Sequence, residues 1–293
     1  YGKDTGEPVK YVAPDFALKD IKAIPRHDQI EVKQYGCALW WLEYGGRMDT
    51  VHDTEEIKWE LWKVAYGVWD YIKNSGKFPE AENQTLEWIG TIPGKRESRR
   101  FEGDLMMSQS DIVEQKRFDD AVSFGGWAID LHPADGLYSA DSGCHQFHSK
   151  GVYQIPYRTM YSRNVDSLFI AGRLISSSHV AFGSTRVMMT CAHNAQAVGM
   201  AAAICQEGDL NPRDLVEKAQ MQTLQRRLRR SGQFIPHLEL PEDCEDLSRS
   251  AQMKVSSEAQ LVGFPQSKHL ATMDCARALL LPAQPGVLPE MTF

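Results

Sequence analysis

The chain has 293 residues, a net charge of −7 and the balance of apolar and charged residues of an ordinary globular protein. Its length allows one large domain or two, and an acidic balance without a basic block argues against a nucleic-acid-binding protein. No apolar run approaches the ~18 residues of a membrane span, so we predict a soluble protein and slightly favour the cytoplasm.

The cysteines are scattered and form no C-x-x-C pair, which argues against a zinc ribbon or an iron–sulfur cluster. They are Cys37, Cys144, Cys191, Cys205, Cys244 and Cys275. Cys144 and His145, followed by His148, offer an incomplete set of metal ligands in a segment typical of a loop. We therefore predict no metal site.

The N-terminal third is predicted to hold one long helix among loops and short strands. Residues 38–44 form an apolar run typical of a strand. Asp53, with Glu56 three residues later, resembles a capping box, and an apolar stripe follows at helical spacing until Ser75 and Gly76. The stripe consists of Ile57, Leu61, Val64, Val68 and Ile72.

Six of the seven tryptophans lie between Trp40 and Trp88. This concentration indicates either an aromatic core or domain interface, or a platform for a flat or sugar-like substrate, because an indole combines apolar area with one hydrogen-bond donor. Both interpretations stay open from the sequence.

Strands are predicted at residues 85–94 and 99–104, on either side of a segment with four cations in the six positions 95–100. These cations indicate a solvated edge, or a clamp for a substrate carboxylate or for the anionic form of a flavin. On a strand, Arg96 and Arg100 would share one face, and Arg99 would lie on the other.

Residues 108–132 are predicted to form a short helix, capped by Ser108 with Asp111 three residues later, and then a strand at 127–132. Asp130 and His132 would share a face of that strand, because side chains alternate along it. A carboxylate beside an imidazole orients the ring, so the pair is a candidate acid or base; the alternative is an ordinary surface pair.

A strand, a glycine turn and a long helix are predicted between residues 151 and 205. A strand at 151–157 and an apolar run at 168–171 precede Gly172, and a serine-rich loop then leads to a helix that starts near Gly183 and ends near Cys205. Small residues at helical spacing give this helix a smooth face, which favours a buried helix of an α/β core or close approach to a ligand. A further helix is predicted from Asn211 to Gly232.

The segment 168–187 resembles the flavin-contacting motif of the FAD-dependent oxidoreductase family typified by the heterodisulfide-reductase A-like flavoproteins. That motif is a strand, then A-G-R, then S-x-x-H, then G-S-x-R-V at the head of a helix. The resemblance extends upstream through residues 96–103 and Asp130-x-His132, and covers residues 35–235. The matching residues are Ala171, Gly172, Arg173, Ser176, His179, Gly183, Ser184, Arg186 and Val187.

The resemblance implies FAD as cofactor and a mixed α/β fold, namely a partial Rossmann-like FAD-binding domain with an inserted substrate domain. The backbone amides of Ser184, Thr185 and Arg186 would face the flavin ring, and His179 would lie near the ring edge. Gly172 and Arg173 would approach the ribityl and phosphate part, and Ser176, Gly183 and Val187 complete the cofactor set. His132, Asp130 and Arg99 are the catalytic candidates.

The implied division is a tryptophan-rich substrate domain at 1–125, the returning part of the FAD-binding domain at 126–235, and a C-terminal extension or linker at 236–293. The G-x-G-x-x-G fingerprint is absent, so we expect an N-terminal half of the same protein to be missing as a partner. The expected activity is a dehydrogenase acting on a small, carbohydrate-like substrate. The alternatives are a non-catalytic carbohydrate-binding module and an electron-transfer or disulfide-type subunit.

Overall fold

The computed structural model describes residues 2–32, 38–239, 251–252 and 254–257. The chain divides after Leu238 into two compact units, and the elements below belong to the first. Of the predicted extension at 236–293, nearly all lies outside the described residues.

In the described residues, six short strands form three antiparallel pairs. β1 (Gly2–Asp4) pairs with β2 (Gln84–Leu86), β3 (Ala121–Gly125) with β6 (Tyr153–Pro156), and β4 (Ile129–Leu131) with β5 (His145–Phe147). The strands predicted near 127–132 and 151–157 are thus confirmed. Those predicted at 38–44, 99–104 and 168–171 are wrong, since these residues form turns or extended loops with at most an isolated bridge.

Five α-helices occur in the described part of the chain. They are α1 (Thr54–Asn74), α2 (Gln109–Val113), α3 (His179–Thr185), α4 (Met188–Gly208) and α5 (Lys218–Arg230). The predicted capping box of Ser108 and Asp111 is confirmed at α2. The box predicted at Asp53 is wrong, because its carboxylate accepts a bond from the Asp49 amide and leaves the amides of α1 alone.

The predicted helix from Gly183 to Cys205 is interrupted. α3 ends at Thr185, Val187 adopts an extended conformation, and α4 begins at Met188. α4 then runs past Cys205 to Gly208, where Asp209 in the left-handed region ends it. The helix predicted from Asn211 also divides, into a 3-10 turn at Pro212–Val216 and α5.

Two hydrophobic clusters form the core of the described part of the chain. One lies among β3, β6, α4 and α5 and includes Tyr153, Ile155 and Leu224, all fully buried. The other packs the buried side of α1 against Ile24, Trp41 and Leu137. The result is a mixed α/β fold, as predicted, and β4 with α3 lies where the functional residues collect.

The smooth face predicted for α4 is largely exposed, so it is not the face that packs in the core. Ala192, Ala195 and Gly199 are exposed, whereas Asn194, Ala197, Ala201 and Ile204 are buried. Alanines line both sides of this helix, so its composition does not show which side meets the core.

None of the helices in the described residues combines the length and the apolar character that crossing a bilayer requires.

Candidate functional site

A cavity of about 570 Å³ opens between the loop that contains Glu43, the segment 93–97, β4 with the turn after it, and α3. We call it the large cavity. Its lining includes Trp40, Glu43, Tyr44, Arg96, Asp130, His132, His179, Phe182, Gly183 and Arg186. It thus brings both parts of the predicted catalytic pair together with three residues predicted to bind the cofactor.

Five side chains at this cavity form a continuous charged cluster: Glu43, Arg96, Asp130, His132 and Arg186. The His132 ring lies between two carboxylates, with Nδ1 2.6 Å from Glu43 Oε2 and Nε2 3.1 Å from Asp130 Oδ2. Arg186 donates to Asp130 Oδ2 over 2.5 Å, and Arg96 lies 3.0 Å from Glu43 Oε1. The predicted contact between Asp130 and His132 is therefore present.

Both ring nitrogens of His132 contact carboxylates, and Nε2 also lies 3.4 Å from Arg186 Nη2. Trp40 meets the ring edge-on with centroids 5.7 Å apart. The imidazole is thereby held in one orientation, with about 13% of its side chain exposed.

Burial and charge act in opposite directions on the neighbours of His132. Burial by itself would raise the pKa of Asp130, but the hydrogen bond and charge of His132 and the charge of Arg186 hold that pKa below its usual range. Burial, together with the charge of Arg96, lowers the pKa of Arg186. The Cys144 thiol has a raised pKa because it is buried near Asp130.

Gly183 brings α3 against β4. A Cβ at this position would lie 2.8 Å from the carbonyl oxygen of Asp130, closer than real Cβ contacts allow. The missing side chain therefore lets the two elements touch, and Arg186 at the end of α3 then reaches the Asp130 carboxylate. On the opposite side, the Leu137 amide donates to the Glu43 carbonyl over 2.7 Å and fixes the loop that carries Glu43.

Arg99 lies apart from the charged cluster. It is exposed and lines a smaller neighbouring cavity with Arg100 and Arg173. Because the segment is not a strand, the alternation expected of its arginines does not apply. Arg96 occupies the place beside the cluster instead, through its ion pair with Glu43.

The residues predicted to bind the cofactor divide into exposed and buried groups. Gly172 has φ +65°, a conformation that favours glycine, and Arg173 beside it is exposed. His179 is exposed and its Nδ1 lies 2.8 Å from Glu97 Oε2. Ser176 is fully buried, and its hydroxyl has no hydrogen-bond partner within the described residues.

Ser184 and Thr185 are also fully buried. Ser184 donates to the Trp127 carbonyl and accepts from the Tyr153 hydroxyl, both over 2.6 Å. These residues close α3 and do not open a helix, and the Arg186 amide already donates to the Phe182 carbonyl. The expectation that the amides at 184–186 are the free ones at a helix start is therefore corrected.

The free helix start lies a few residues further on, at α4. Val187 precedes the helix, no side chain caps it, and the first intrahelical bond at this end runs from Cys191 back to Val187. Met188 and Met189 are 87% and 72% exposed. The N-terminus of a 21-residue helix thus carries unpaired N–H groups and positive dipole potential.

The chain matches a known protein family over most of its length. Residues 3–228 match the family described as FAD dependent oxidoreductase. No curated protein and no solved structure matches the chain. The chain therefore belongs to the FAD-dependent oxidoreductase family, which carries FAD as its cofactor and performs oxidation–reduction chemistry. The match begins earlier than the resemblance in the sequence suggests, and it ends close to the same point.

The residues present fit such a cofactor. The uncapped start of α4 lies against Gly172, whose absent Cβ would be 3.8 Å from the Cβ of Cys191. The first turn of α4 thus lies near a glycine that permits close approach of a ligand, and this glycine is followed by an exposed cation, Arg173. This donor set suits the electron-rich ring edge and the phosphates of FAD. No group of three or more potential metal ligands converges within the described residues.

The sequence does not predict three residues of the site: Glu43, Glu97, and Arg96 as the ion-pair partner of Glu43. Glu43 is the only carboxylate in the apolar run 38–44, and a lone charge in such a run is the one signal that could have indicated it. Its contact with His132 spans 89 positions, so no local periodicity reveals the pair.

Proposed function

We propose that the chain is a dehydrogenase that uses FAD to oxidise a small hydroxylated, carbohydrate-like substrate bound in the large cavity. One observation carries the proposal: the charged cluster and the exposed indole of Trp40 line the same cavity. Hydroxyl groups hydrogen-bond well to charged side chains. The apolar face of a sugar ring packs on an indole, whose N–H adds a donor.

When bound, FAD supplies the acceptor for the hydride of the substrate carbon. The residues of this chain handle the proton. In the tautomer whose proton is on Nδ1, Nε2 of His132 accepts the proton of the substrate hydroxyl, while Glu43 keeps the ring oriented through Nδ1. Arg186 keeps the charge of Asp130 paired during the exchange. Arg96 and Arg186 orient the substrate oxygens at the edge of the cavity.

On the cofactor side, we propose that the amides of residues 188–190 take the role first assigned to Ser184, Thr185 and Arg186. These amides stabilise the negative charge that reduction places on the flavin ring. Gly172 and Arg173 remain the proposed contacts of the ribityl and phosphate part, with Ser176, His179, Gly183 and Val187 around them.

A substitution at Gly172 tests the cofactor surface. Gly172→Val places a β-branched side chain at φ +65°, so we expect the purified protein to lose its flavin absorbance. Gly232→Val is the matched control, because Gly232 has φ +88° at the end of α5 and an equally open surrounding. Equal flavin content in the two variants would contradict the placement at Gly172.

The substrate proposal is tested by mixing the flavin-loaded protein, without oxygen, with a panel of sugars and polyols. We expect at least one to bleach the visible flavin band. His132→Gln should slow this bleaching roughly 100-fold at unchanged flavin content. His148→Gln, at an exposed position outside the large cavity, should bleach like the unaltered protein.

A non-catalytic carbohydrate-binding module is the second candidate. The engagement of both ring nitrogens of His132 favours it, because a base needs one nitrogen free. Quenching of tryptophan fluorescence by sugars without any bleaching would support the module and contradict the dehydrogenase. If no sugar or polyol had either effect, the carbohydrate-like substrate would be excluded.

A further inference from the structure

A second, smaller cavity of about 90 Å³ lies beneath the segment 95–100. We call it the arginine cavity. Its charged lining residues are Lys95, Arg96, Glu97, Arg99, Arg100 and Arg173. Ser98, Ser177 and the apolar side chains of Leu174, Ile175 and Phe182 complete the lining. Five cations therefore face this cavity together with a single carboxylate.

That carboxylate is already engaged. Glu97 pairs with Arg100 over 2.6 Å and with the His179 ring over 2.8 Å. Arg96 pairs with Glu43 outside the cavity. The positive charges of Lys95, Arg99 and Arg173 are therefore not neutralised by Glu97.

Three cations of the arginine cavity have no acidic partner within the described residues. Lys95 donates to the Thr54 hydroxyl over 3.1 Å, and Arg173 donates to the Lys95 carbonyl over 3.2 Å, so both bonds go to neutral oxygens. Arg99 makes no ion pair there. Like charges held this close repel one another, and a bound anion removes that repulsion.

We propose that the arginine cavity binds a small oxyanion, a carboxylate or a phosphate group. Guanidinium groups pair with such groups through two parallel hydrogen bonds. The volume lies well below the ~300 Å³ at which whole-ligand pockets begin, so it suits one end of a larger molecule.

The larger molecule extends into the large cavity, because the two cavities share Lys95, Arg96, Glu97 and Phe182. The oxyanion belongs either to the substrate, for example a sugar acid or a sugar phosphate, or to the pyrophosphate of FAD. The identity of this molecule rests on the proposed function. The oxyanion site itself does not.

Inorganic phosphate is the direct probe, titrated into the purified protein by calorimetry. We expect saturable binding that weakens with added salt. Arg99→Gln and Arg173→Gln should each weaken it about three- to fivefold, and the double variant about tenfold or more. Arg226→Gln is the control, since Arg226 is exposed on α5 away from the cavity. Far-ultraviolet circular dichroism and the melting temperature should match across the variants.

Absence of saturable phosphate binding would overturn the proposal, and so would equal binding by the double variant and the Arg226→Gln control. Competition experiments identify the source. If phosphate competes with FAD but not with riboflavin, the pyrophosphate occupies the site. If phosphate leaves FAD binding unchanged but raises the KM for sugar acids or sugar phosphates, the substrate occupies it.

The two proposals can fail separately. Phosphate binding that depends on Arg99 and Arg173, together with no bleaching by any sugar or polyol, would keep the oxyanion site and remove the substrate proposal. Bleaching by neutral sugars without phosphate binding would do the reverse.

Discussion

Asp130 is the residue on which the charges of the site converge. Its carboxylate contacts both His132 and Arg186, and only about 11% of its side chain is exposed. Removing its charge leaves the largely buried guanidinium of Arg186 without its carboxylate partner. The stability of the fold and the order of the site therefore depend on the same carboxylate.

We expect Asp130→Asn to lower the free energy of unfolding by about 3 kcal/mol at neutral pH, because one partner of a largely buried charge network is lost. Denaturant unfolding followed by tryptophan fluorescence measures it. Asp166→Asn, at an exposed position, should change stability by less than about 0.5 kcal/mol.

The same variant has a pH signature. The pKa of Asp130 is held below its usual range in the folded protein. Its contribution is therefore present above the unfolded pKa of ~3.9 and is lost as the pH falls through the folded value. The stability difference between the unaltered protein and Asp130→Asn should shrink below about pH 4. A difference that stays constant from neutral to acid pH would contradict this assignment.

Residue-level prediction from sequence succeeds where the contact is local. Alternation along a strand is enough to place Asp130 beside His132. It cannot find Glu43, because that contact depends on how a turn near residue 43 packs against the turn after β4. A carboxylate in an apolar run marks the position, yet its partner is a matter of tertiary packing.

At the scale of elements, Gly183 in α3 and Gly199 in α4 have opposite effects on packing. A Cβ at Gly183 would collide with the backbone of β4, whereas a Cβ at Gly199 would meet nothing within 4 Å. Glycine is thus required at one site and is only a cost in helix propensity at the other.

We expect Gly183→Ala to destabilise the protein by about 1–3 kcal/mol through overpacking. Gly199→Ala should stabilise it by about 0.5–1 kcal/mol, because alanine restricts the unfolded chain and favours the helix. Thermal unfolding of both variants measures the contrast. Stabilisation by both changes would show that α3 can shift away from β4 without cost.

The break at Val187 is the main element-level feature that the sequence does not reveal. Residues 183–205 are continuous in helix-compatible composition, and no proline interrupts them. α3 is drawn to β4 by Gly183 and Arg186, while α4 packs against β3 and the 3-10 turn at Gly172–Leu174. Because α3 and α4 pack against partners that lie in different directions, the chain must bend between them. Contacts of this kind leave no local pattern in the sequence.

At the scale of the whole molecule, the family and the mixed α/β class follow from the sequence, because a long motif with fixed spacing is specific. The sheets do not follow. The apolar runs at 38–44 and 168–171 are typical of strands, yet extended apolar segments also occur as loops that pack on a core. The division at residues 125 and 235 stays a prediction.

The two hydrophobic clusters and the large cavity are related. Trp41 and Leu137 belong to the cluster around α1, while Ile129 and Ala181 belong to the cluster around β3 and α4. Their neighbours Glu43, Asp130 and His132 line the cavity. The charged cluster therefore joins two apolar regions, and it links the packing of each to the shape of the site.

The close contact of α3 with β4 has a practical consequence for redesign. The backbone of β4 already fills the space beside position 183. Variants with a side chain at this position would therefore be destabilised, and a mutant library that varies it would not yield new specificities. Position 40 lines the large cavity as well, and its indole is exposed. An effort to change the substrate preference should randomise position 40 and leave the glycine unchanged.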